Sequence, residues 1–170
     1  MPHNNSKKQV FLDFKEQCNI ELDLMQETAN ELQKLAQDIS LQGNSPSVRE
    51  RAAAANLTQS LYNGIENILK RTSRYCEVPL PKGEQWHSEL ARRFTTDLHG
   101  QFGLPLFILS EIETSAAILR RFRHVVMHGY AMNLNWENMN INVQLAIEVY
   151  TVFSRVVIVY LSQEGQQFKE

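Results

Sequence analysis

Cysteine is nearly absent. Cys18 and Cys76 are the only two in 170 residues, they lie far apart, and no C-x-x-C occurs. That spacing excludes a disulfide framework and argues against a structural zinc site. Glycine (7) and proline (5) are equally scarce. Low-complexity disorder is thereby excluded and long helices are left open. Long apolar runs are missing too. The longest, Val156 to Leu161, is far short of a bilayer span, and the polar stretch Met1 to Gln9 has no apolar signal-peptide core. The expectation is a cytoplasmic protein in a reducing setting, with no membrane partner. Finally, there is no excess of positive charge: the net charge is −2. A polycation that binds nucleic acid over its whole surface is excluded, so any RNA site must be a local basic patch.

What the chain does have is helical periodicity. Hydrophobic residues make up 43% and charged residues 21%, ordinary values for a globular chain. Residues 1–8 read as a flexible polar tail, and residues 9–170 as one domain. Cys18, Leu22, Met25, Ala29, Leu32, Ala36 and Ile39 recur at alternating spacings of four and three, which predicts one face of a helix ending at Gly43-Asn44. Ser45 and Pro46 are the expected N-cap and first-turn proline of a second helix, with Ala54, Leu57, Leu61, Ile65 and Ile68 as its stripe. Val78 to Gly83 is a loop by its proline and glycine. Trp86, Leu90, Phe94 and Leu98 mark a shorter helix broken at His99-Gly100. Pro105 opens a helix to about His128, and a last helix covers roughly 137–162 with Leu145, Val149, Phe153, Val156 and Tyr160 on one face. Short loops between these segments predict an all-α, up-and-down bundle of about five helices. The first two form a long hairpin that can extend beyond a compact core.

The segment from Ile118 to Tyr130 carries the chemistry. On a helical wheel Ile118, Leu119, Phe122, Val125 and Val126 fill one arc, and Arg120, Arg121, Arg123, His124, Met127 and His128 fill the other. The polar arc holds three arginines and two histidines but no carboxylate. Like charges one turn apart repel, so an external anion is the simplest complement. Glu66 is a second candidate, able to pair with this face and orient Arg123. Arg123 and His128 stand five positions apart, a rise of about 7.5 Å, close enough for the long arginine side chain to converge on the histidine. Gly129 fits a helix stop, which would free Tyr130 to turn back towards His128.

These residue types suit RNA cleavage by transesterification. Histidine can move a proton from the ribose 2′-hydroxyl or to the leaving 5′-oxygen. Arginine can hold the phosphate in its planar fork and stabilise the added charge of the transition state. Neither role needs a metal or a cofactor. His124 and His128 also have a metal-ligand spacing, but the flanking arginines oppose a cation. One histidine per chain is few for an acid and a base together, and a second copy of the chain across a dimer would supply another.

Arg123-x4-His128-x-Tyr130 resembles the Arg-x4-His-x-Tyr signature of HEPN ribonucleases of the HepT toxin type. Leu61-Tyr62-Asn63-Gly64-Ile65-Glu66-Asn67-Ile68-Leu69 resembles the family's Tyr-and-Glu helix, and Trp86-His87-Ser88-Glu89-Leu90 its Trp-His-x-Glu-Leu element. The resemblance covers roughly residues 45–160, leaving the N-terminal helix outside. His124 stands where many HepT members have Asn. The resemblance implies a HEPN-type bundle, a homodimer and a metal-independent endoribonuclease toxin with Arg123 and His128 as catalytic residues. It also implies a minimal nucleotidyltransferase (MntA-like) antitoxin that adenylylates Tyr130. Arg120, Arg121 and His124 are then the candidate RNA contacts, and the RNA, possibly tRNA, is single-stranded or looped. Trp86 and His87 read as helix anchors rather than chemistry. The competing expectation is a non-catalytic HEPN-like module that binds RNA or a protein through the same basic face.

Overall fold

The computed structural model describes residues 2–127 and 135–168, with side chains from Ser6 onward. His128 and Tyr130 lie outside the described residues. Six helices are described: α1 (Pro2–Gln42), α2 (Val48–Tyr75), α3 (Trp86–Arg92), α4 (His99–Phe102), α5 (Ser110–Met127) and α6 (Trp136–Gln166). There is no strand among the described residues, only an isolated bridge between Thr95 and Ile108.

Four long helices make the bundle. α1 runs antiparallel to α2, as the pairs Gln42–Glu50, Glu21–Asn67 and Phe14–Tyr75 show. α2 runs antiparallel to α5 through Gln59–Met127 and Asn63–Arg123. α6 closes the square against α1, where Tyr150 donates to Gln26 at one level and Phe11 stacks on Phe168 at another. The α1–α2 hairpin therefore lies within the bundle along its length rather than projecting from it.

The stripe expected on α1 is the one buried: Cys18, Leu22, Met25, Ala29, Leu32 and Ile39 all face the core. Burial pushes the Cys18 thiol up to about 12. The helix starts at Pro2, so residues read as a tail are helical. Proline suits a first helical position, and Phe11 and Phe14 fasten this end by stacking on Phe168 and Tyr75. On α2, Gly64 sits where α1 comes closest. A Cβ there would meet Met25 Cγ at 2.5 Å, so glycine lets the two helices approach.

Between the start of α2 and the start of α5, three boundaries differ from the sequence expectation, each for a physical reason. The N-cap of α2 is Ser47, not Ser45. The Glu50 amide donates to the Ser47 hydroxyl at 3.2 Å, and the Glu50 carboxylate accepts from the Ser47 amide at 2.7 Å, a full capping box. The helix expected from Trp86 to Leu98 ends at Arg92. Just beyond, the Phe94 carbonyl accepts from the amides of Phe107 and Ile108 and is lost to helix continuation. A separate turn, α4, follows and closes on Gly103 at φ 65. The same two bonds hold the segment after Pro105 out of helix, so α5 begins at Ser110.

α6 outruns its expected bounds at both ends, and its deepest residues are Met139, Val143, Phe153 and Val157, with Val149 almost as deep. Leu145, Val156 and Tyr160 line the edge of that face. The Val156–Val159 segment is helical despite its β-branched residues, because tertiary packing overrides local propensity. In length and composition α6 passes the test for a membrane-crossing helix, yet it packs on α1, α2 and α5. That packing buries about a third of its most apolar stretch, and Ile141, Ile158 and Val159 stay exposed.

Candidate active site

The polar cluster forms where α2, α3 and α5 meet. Asn63 and Glu66 are three apart on α2 and so share a face. Glu66 is 3% exposed. Burying a carboxylate is costly unless charge and hydrogen bonds compensate, and two neighbours do so. His87, in the first turn of α3, sets Nδ1 2.7 Å from Glu66 Oε1. Arg123 on α5 brings Nε within 4.0 Å of Glu66 Oε2 and donates from the same nitrogen to Asn63 Oδ1 at 2.8 Å. Arg123 Nη1 also lies 3.4 Å from His87 Nε2. Trp86 stacks on the His87 ring with centroids 3.6 Å apart, and Lys70 lies over Trp86 at 5.6 Å.

The arginine is thus gripped along one edge while 21% of its side chain stays exposed. Tyr62 lies beneath, 2% exposed. Burial pushes its phenol well above the ordinary range, and Glu66 adds to the rise; Arg120 and Arg123 oppose it. The hydroxyl is therefore protonated at any physiological pH.

The basic arc of α5 divides in two. Arg120 and Arg123 turn inward and are half-buried, whereas Arg121 and His124 are exposed on the outer side. Arg120 lines a cavity of about 210 Å³ between α3 and α5, together with Ser88, Arg92, Thr95 and Glu113. The arc that lacks a carboxylate in its own sequence is therefore supplied with Glu66 from α2, while Glu113, about two turns before Arg120 on α5, shares the lining of the Arg120 cavity. An external anion is not needed to balance Arg123, contrary to the simplest sequence expectation, and the pairing of Glu66 with Arg123 takes its place. His87 is the residue sequence reasoning undervalued: it bridges Glu66 and Arg123. The signal was present in the Trp86-His87-Ser88-Glu89-Leu90 element, but periodicity gives no weight to a polar residue at a helix start.

A family model described as HepT-like protein matches residues 52–163. The chain belongs to the HepT-like family, whose members are HEPN proteins. The match runs from the first turns of α2 nearly to the end of α6 and so takes in Asn63, Glu66, His87 and Arg123. All of α1 and the α2 capping box lie outside it. No curated protein and no solved structure matches the chain. All four members of the polar cluster lie within the matched residues of this HepT-like bundle, and α1, outside the match, packs on α2 at Gly64, Asn67 and Arg71.

Proposed function

We propose that this HepT-like protein is a metal-independent endoribonuclease toxin that cleaves RNA by attack of the ribose 2′-hydroxyl on the adjacent phosphate. The observation that carries the reading is the grip on Arg123. Asn63, Glu66 and His87 fix one edge of its guanidinium at a partly open surface, as phosphate binding requires. Arg123 binds the scissile phosphate and stabilises the charge gained in the transition state. His128, five positions on, transfers a proton. Arg120, Arg121 and His124 contact the flanking phosphates of a single-stranded or looped RNA, possibly tRNA. The active form is a homodimer acting in the cytoplasm. Met127, Ile141, Ile158 and Val159 leave apolar surface exposed on α5 and α6, material for an interface between copies. A minimal nucleotidyltransferase antitoxin silences it by adenylylating Tyr130, since an added AMP brings bulk and negative charge to a phosphate site.

One observation favours a second reading. Glu66 already offsets the charge of Arg123, as in a module that binds RNA or a protein through this face without cutting. His128→Ala separates the two. The nuclease reading expects cleavage of cellular RNA to vanish while RNA affinity stays within about threefold. A wild-type protein of unmodified mass that binds RNA but cuts none would decide for the module.

A further inference from the structure

The Glu66–His87 pair has a geometry that bracing Arg123 does not require. A guanidinium offers only donors and an ionised carboxylate only acceptors. His87 has Nδ1 2.7 Å from Glu66 and Nε2 3.4 Å from Arg123 Nη1. The hydrogen therefore sits on Nδ1, and the lone pair of Nε2 faces the guanidinium. The ring is clamped against Trp86, while 24% of the side chain stays open. The charged groups around it are Glu66 and Lys70 from α2 and Arg123 from α5. A phosphate held by Arg123 thus lies beside an unprotonated, oriented imidazole nitrogen, backed by a buried carboxylate that stabilises the imidazolium once a proton arrives.

We infer that His87 is the general base of the cleavage step, with Glu66 as its positioning residue. The inference rests on the ribonuclease reading above. Nε2 takes the proton of the ribose 2′-hydroxyl as that oxygen bonds to phosphorus. The bond from phosphorus to the 5′-oxygen breaks, and the departing oxygen receives its proton from His128. The products are a 2′,3′-cyclic phosphate and a 5′-hydroxyl. Each chain then carries both proton-transfer groups.

The test compares wild type, His87→Gln, His87→Ala and His128→Ala on one RNA oligonucleotide, each protein checked for native melting and wild-type subunit number. Glutamine keeps a polar end near the Nε2 position, so Arg123 retains a neighbour, but it cannot take a proton. His87→Gln is expected to lose at least about 100-fold in cleavage rate with RNA affinity unchanged. Added imidazole should recover His87→Ala by tenfold or more. Replacing the leaving 5′-oxygen with sulfur, which departs without protonation, should restore His128→Ala but neither His87 variant. Cleavage by His87→Gln within about threefold of wild type would overturn the inference and leave the ribonuclease reading standing. So would a loss that imidazole does not relieve and that weakens RNA binding as Arg123→Ala does, since His87 would then only position the arginine. A wild type that cuts no RNA would overturn both.

Discussion

Helix α2 borders two interiors of opposite character. One is the apolar core, where Leu61, Ile65, Ile68 and Leu69 meet residues such as Leu32, Phe107 and Phe153, all almost wholly buried. The other is the polar cluster, where Asn63 and Glu66 on the same helix meet His87 and Arg123. The first is held by non-directional burial and close packing. The second is held by a few directional bonds around a desolvated carboxylate, and these set an arginine and a histidine edge to edge. The core can lose shape gradually, whereas the cluster changes character when one partner goes. Stability belongs mainly to the first, and the function we propose to the second.

The sharpest way to break that comparison is at Phe153, fully buried and edge-on to Phe107. Phe153→Ala is expected to cost about 3–5 kcal/mol, read from urea midpoints, while any protein that stays folded keeps its cleavage pattern. Glu66→Gln should act the other way round. An amide still accepts from His87 but lacks the charge, so the stability loss should be about 1–2 kcal/mol. It stays below the cost of breaking a fully buried pair because Arg123 and His87 remain partly exposed. Cleavage should fall at least tenfold, measured on the same preparation.

Ser47→Ala, at the α2 cap and remote from the cluster, should cost about 1 kcal/mol with cleavage unchanged. The Ser47 hydrogen bonds hold the Glu50 carboxyl below its usual range. The contribution is therefore present above the unfolded carboxyl range and is lost as pH falls through the folded value. Thermal melts between neutral and acid pH should show a smaller acid-side decline in Ser47→Ala than in wild type. The smallest effect belongs to Arg121, exposed on the outer side of α5. Arg121→Ala should shift stability by less than about 0.5 kcal/mol. It should lower the salt slope of single-stranded RNA binding by about 0.7; an unchanged slope would remove Arg121 from the RNA path.

The helices were legible because burial follows period: the α1 stripe from Cys18 to Ile39 and the bundle class both follow from it. Breaks set by tertiary hydrogen bonds were not. Nothing in the sequence near Phe94 announces that its carbonyl will take two amides from Phe107 and Ile108. The α2 cap, by contrast, was written in Ser47-x-x-Glu50, and the proline at 46 drew attention two positions too early, to Ser45. In the site, the resemblance picked out the Arg123 segment and the Glu66 helix. The position of His87 between them depends on how α3 docks, which spacing along the chain does not encode. His128 and Tyr130 fall outside the described residues, so their roles stand on the motif.

The most direct test is cleavage of an RNA pool in excess EDTA by wild-type and Arg123→Ala proteins, matched for folding and subunit number, with the product ends identified. The account predicts 2′,3′-cyclic phosphate ends from wild type and at least about a 100-fold slower reaction without the guanidinium. Equal cleavage by the two proteins, or none by unmodified wild type, would contradict it.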